Sequence, residues 1–113
     1  MNMTELTSTI LDVFVNGLSE ILGSHLERVV LYGSYARGDF NNSSDVDIMV
    51  LTNLDDDEIE IYKDKIYDLA YDIGMENDIA LSTLVKNIGK YQKRVEIIPF
   101  YRNVQNEGVV LYG

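Results

Sequence analysis

The chain has 113 residues, 46% of them apolar, with 19 acidic against 9 basic side chains and a formal charge of −10. That balance argues against sequence-independent binding to double-stranded nucleic acid, which depends on basic residues neutralising phosphates. With no cysteine there is neither a disulfide nor a thiolate metal site, and no apolar run approaches the ~20 residues that cross a bilayer. The length suits one compact core, so residues 1–113 are expected to form a single domain. The N-terminus lacks the basic-then-apolar form of a signal peptide, so a cytoplasmic location is the default expectation.

Residues 4–22 repeat apolar side chains at Leu6, Ile10, Val13, Phe14, Leu18, Ile21 and Leu22, which is helical spacing, and Gly23 supplies a stop. His25, the single histidine, follows in a polar linker and is expected to serve as a surface or capping residue. Val29–Tyr32 and Val46–Leu51 are short, β-branched apolar runs bounded by Gly, Ser, Asn and Asp, as buried strands are. Between them Gly33-Ser34 offers a residue without Cβ, a hydroxyl and free N–H groups, which together can approach phosphate oxygens. Tyr35 to Asp39 allow one or two helical turns, with Arg37 either assisting a phosphate or pairing with a nearby acid such as Asp39.

Asp45 and Asp47 are two apart, so they project from one strand face about 7 Å apart at ~3.4 Å per residue. Like charges held side by side repel, and a divalent cation between them reverses the sign of that interaction. Oxygen ligands without Cys or His favour Mg²⁺ or Mn²⁺. The whole reads Gly-Ser-x10-Asp-x-Asp, four fixed positions that arise by chance at about one start point in 100,000 for residue types of roughly 5–7% usage.

On these residues the chain resembles the minimal nucleotidyltransferases of the polymerase-beta-like superfamily. The resemblance implies an α/β (α+β) nucleotidyltransferase fold, a small mixed sheet covered by helices. It also implies transfer of AMP from ATP, with Asp45 and Asp47 holding two Mg²⁺ ions and Gly33 and Ser34 orienting the triphosphate. A third carboxylate stands on the neighbouring strand in that superfamily, and Asp78 is the best match to it, as a metal ligand or as the acceptor of a proton.

Further along, Asp55 to Glu58 read as a capped helix start. The helix is expected to run to about Gly74 with Ile59, Tyr62, Ile66, Leu69, Ala70 and Ile73 inward. Asp64, Asp68 and Asp72 form an outer ridge, solvated or open to a basic partner. Asp78–Val85 reads as a third strand, opened by Asp78. Lys86, Lys90, Lys93, Arg94 and Arg102, interleaved with Tyr91, Phe100 and Tyr101, collect positive charge that could steer a triphosphate or an acidic partner, or simply solvate a loop. Pro99 suits the first turn of a last helix ending near Gly108, with Val109–Tyr112 as a terminal strand.

Small relatives of this form resemble the antitoxin of two-gene pairs whose partner is a helical HEPN-type ribonuclease, silenced by AMP transfer to a tyrosine. That is the function the resemblance implies first. Two others stand beside it: nucleotidyl transfer to an aminoglycoside or other small alcohol in a pocket completed by homodimerisation, and a non-catalytic module that binds nucleotide or a partner.

Overall fold

The computed structural model describes residues 4–113. In chain order these are α1 (Glu5–Leu22), a 3-10 turn (Gly23–His25), β1 (Leu26–Tyr32), α2 (Ser34–Arg37), β2 (Val46–Thr52) and α3 (Asp56–Asn77). There follow β3 (Leu81–Asn87), α4 (Ile88–Val95), α5 (Pro99–Glu107) and β4 (Val109–Tyr112). The strands form one sheet in the order β3-β2-β1-β4. β1 is antiparallel to both β2 and β4, whereas β2 and β3 are parallel, with α3 as the crossover a parallel pair requires. The sheet is mixed, as the resemblance implied.

Helix α1 starts where the Thr4 hydroxyl accepts from the Thr7 N–H and stops at Gly23, whose φ of 55° is left-handed. Its buried stripe is Ile10, Leu11, Phe14, Leu18 and Leu22. Leu6 and Val13, expected to pack inward, are exposed, because at 100° per residue they lie ~110° and ~130° around the helix from the middle of that stripe. α3 opens with a complete capping box: the Asp55 carboxylate accepts from the Glu58 N–H at 2.8 Å and the Glu58 side chain accepts from the Asp55 N–H at 3.2 Å.

Gly74 does not end α3. It is buried inside the helix because the Ile79 carbonyl oxygen passes so close that a Cβ would sit 2.5 Å from it. The helix ends three residues later at Asn77 and is capped by Asp78, whose φ of 52° and ψ of 45° are left-handed. Asp78 therefore does not open the third strand, which begins at Leu81; an aspartate tolerates this conformation better than most residues and terminates the helix instead.

Two cores sandwich the sheet. Alternation puts Val29, Leu31, Val46, Ile48 and Val50 against the α1 and α3 cluster of Phe14, Leu18, Ile66 and Ala70. Val30, Met49 and Leu51 face the opposite way, against Tyr91 of α4 and Val104 of α5. Helix α4 occupies a stretch expected only as a cationic segment. Asn87 caps it by accepting from the Lys90 N–H at 3.1 Å, and Tyr91 anchors it in the second core. His25 lies in the turn before β1, its Nδ1 2.9 Å from the Asn53 side-chain oxygen.

Candidate active site

The site grows from the junction of β1 and α2. Gly33 has φ 74° and ψ −154°, a conformation an L side chain rarely adopts, and the space where its Cβ would stand is taken by the Asp47 carboxylate. A side chain at residue 33 would displace that carboxylate. The Gly33 carbonyl accepts from the Ala36 and Arg37 N–H groups, both at 3.1 Å, so the chain turns back immediately after β1. Tyr35 is buried and stacks on Phe40, ring centroids 4.2 Å apart and 5° from parallel, which fixes the turn from beneath. Because α2 is a single turn, its macrodipole is small. Any grip on a phosphate here would come from the local N–H groups and the Ser34 hydroxyl.

A second polar turn delivers the acids. Asn41 accepts from the Ser43 N–H at 2.8 Å and Ser44 accepts from the Asn41 N–H at 3.0 Å, an arrangement of side chains closing their own loop. Asp45 follows, exposed, and the Val46 N–H donates to the Ala80 carbonyl at 2.8 Å as β2 begins. Every residue of β2 is buried except Asp47, which is partly so. Asp47 lies on the α4/α5 side of the sheet with Met49 and Leu51, flanked in register by Tyr32 of β1 and Ser82 of β3.

The electrostatics follow from this placement. Burial, and then the Asp45 charge, push the Asp47 carboxyl above the usual aspartate value, with Arg37 acting weakly in the opposite direction. Tyr32 is pushed up to about 12, by burial first and then by the Asp47 and Tyr101 neighbours, so its hydroxyl stays protonated at neutral pH. Its ring meets Phe100 edge-on at 5.7 Å. Arg37 reaches out of the site: its Nε donates to Asp39 and its Nη1 to Glu107, each at 3.2 Å. The sequence left Arg37 open between a phosphate and an acid, and here two acids hold it.

Of the residues singled out by sequence, the structure brings Gly33 against Asp47 and puts Ser34, Asp45 and Asp47 around one end of the β1–β2 hairpin. Asp78 stands apart from that cluster. It shares with Asp45 the lining of a groove of about 1000 Å³ that runs between α1 and α3. Among the described residues no three His, Cys, Asp or Glu side chains gather to hold a metal ion. The strand position beside Asp47 that could carry a further acid is Ser82. What remains, Asp45 and Asp47 two apart at the start of β2, with the proton affinity of Asp47 raised by burial, fits a hard divalent cation in donor type and charge. Tyr32, Ser82 and the groove were not foreseen, since no spacing in the sequence fixes strand register or leaves a trace of a gap between two helices.

A known family accounts for this arrangement. Residues 11–107 match the family model described as nucleotidyltransferase domain, and the chain belongs to that family. Two proteins of Methanocaldococcus jannaschii are similar to it: "Putative protein adenylyltransferase MJ0604", 31% identical over 88% of this chain and 91% of its own length, and the like-named MJ0141, 36% identical over 88% and 93%. Among solved structures, a toxin–antitoxin with AMP-PNP aligns with a TM-score of 0.53 at 23% identity, covering 88% of this chain and 71% of that one. A mutant of the toxin–antitoxin MntA-HpeT aligns at 0.54 and 20%, covering 94% and 72%. At those identities the likeness is one of fold. The chain is a nucleotidyltransferase.

Proposed function

We propose that this protein transfers AMP from ATP to a hydroxyl on a partner protein, a tyrosine of a helical HEPN-type toxin, in a Mg²⁺-dependent reaction that makes it an antitoxin. The observation that carries the reading is the Gly33–Asp47 contact, which sets a metal-type carboxylate directly over a glycine-serine turn free of side-chain bulk. The family membership, the protein adenylyltransferase relatives and the toxin–antitoxin folds support it.

Asp45 and Asp47 are the residues that would hold magnesium, or manganese in its place; two ions suit the resemblance. When bound, such ions neutralise charge on the triphosphate and on the departing pyrophosphate. Gly33 and the Ser34 hydroxyl orient the triphosphate, and Arg37, if it releases Glu107, supplies a further positive charge. The acceptor oxygen forms a bond to the α-phosphorus, the bond from that phosphorus to the bridging oxygen breaks, and pyrophosphate leaves. Asp78 is exposed and ungathered with other acids, which suits taking the acceptor proton better than binding a metal. The reaction runs within one domain, residues 1–113, and in the cytoplasm.

The test is co-expression with the product of the adjacent gene. Intact mass should show one AMP added to that helical partner by the native chain and none by Asp47→Asn. An unmodified partner, or AMP added to aminoglycosides instead, would reject the reading.

A further inference from the structure

The groove between α1 and α3 has a composition unlike the rest of this charged surface. Leu6 is 63% exposed on one wall, and Tyr71 and Met75 are 66% and 67% exposed on the other. Tyr67, Tyr71 and Met75 recur every four residues, so they form one apolar strip along α3. The strip leads to Asp78 and Asp45 at the groove's end. Its lining contains those two aspartates and no Lys, Arg or His, and the exposed ridge of Asp64, Asp68 and Asp72 runs alongside on the next face of α3.

An apolar strip beside an acidic ridge repels nucleotide phosphates and matches a positively charged amphipathic surface. A second copy of this chain is a poor occupant, since each copy carries a charge of −10 and would set acid against acid. A polycationic sugar could satisfy the acids yet would leave Leu6, Tyr71 and Met75 without apolar partners. We propose that this groove docks a basic amphipathic helical segment of the acceptor protein, its apolar side chains on the Tyr67–Tyr71–Met75 strip and its Lys and Arg against the aspartate ridge. That the docked segment brings its hydroxyl toward Asp45 rests on the transfer reading above; the docking does not.

Binding is measured by fluorescence anisotropy with the full chain and no nucleotide, which separates docking from chemistry. The probes are two synthetic amphipathic peptides with identical apolar faces, one bearing Lys and Arg and the other Glu on the polar face. The basic peptide should bind at least about tenfold tighter, with affinity falling as salt rises. Tyr71→Lys with Met75→Lys, both exposed and outside the catalytic machinery, should weaken binding of the basic peptide at least about tenfold while leaving the melting temperature unchanged. Equal affinity for the two peptides, no binding of either, or an unchanged affinity of the basic peptide for the double variant would overturn the proposal. Because no nucleotide is present, peptide binding tests the groove alone, while the transfer reading stands or falls on AMP added to the partner protein.

Discussion

The Asp47 carboxylate fills the volume that a side chain on Gly33 would need, so the glycine-serine turn and the acidic strand are one structural unit. Gly33→Ala should therefore fail twice, by forcing alanine to φ 74° and by pushing Asp47 aside. A loss of about 1–3 kcal/mol in urea unfolding is expected, together with loss of Mg-ATP binding by calorimetry. Gly23→Ala is the control: its φ is also positive, but nothing lies within 4 Å of its Cβ position, so it should lose stability and keep nucleotide binding.

Asp47 sits in a position that disfavours its own charge. Its proton affinity is raised in the folded state, so between the unfolded and folded values the native chain binds more protons, and stability falls as pH rises through that window. Asp47→Asn should consequently raise the melting temperature at neutral pH, by about 1–3 °C once solvent screening of a partly exposed group is allowed for. Transfer should fall at least about a hundredfold in the same variant, the scale on which a preorganised charge at a reacting centre contributes. A variant that loses both stability and activity would indicate a structural role only.

The same shift bears on metal binding. Both carboxylates must be ionised to hold a cation, so the apparent Mg²⁺ affinity of the free protein should rise with pH through a midpoint above the ordinary aspartate value. Asp45→Asn removes the charge that contributes to the shift, and Mg²⁺ affinity followed by titration in that variant should lose its dependence on pH over the window in part, since burial of Asp47 remains.

How much of this was legible beforehand differs by element. The motif residues and the two strands beside them could be read because alternation and turn chemistry are local, and the Asp55 capping box because it lies within four residues. Gly74 misled because a glycine can end a helix or admit a passing backbone, and only tertiary structure decides; here the Ile79 carbonyl does. That displaced the helix end to Asn77 and removed Asp78, its cap, from β3. Helix α4 escaped notice because it is only eight residues long and buries a single side chain, Tyr91, so its apolar positions cannot repeat over a window long enough to separate helix from loop.

Asp78 can be examined through that cap. Asp78→Gly relieves the left-handed strain and should stabilise α3 by about 0.5–1 kcal/mol. Asp78→Asn keeps the conformation and removes the charge, and if Asp78 takes the acceptor proton, the transfer rate should drop about 10²–10⁴-fold with little change in the Michaelis constant for ATP.

The central claim is that the Gly33–Asp47 unit directs attack at the α-phosphorus. The most direct measurement incubates the chain, Mg²⁺ and the partner protein with ATP labelled at either the α- or the γ-phosphate. Label retained on the partner from the α-position alone, and abolished by Asp47→Asn, is the predicted result. Label arriving from the γ-position, or α-label that survives Asp47→Asn, would contradict it.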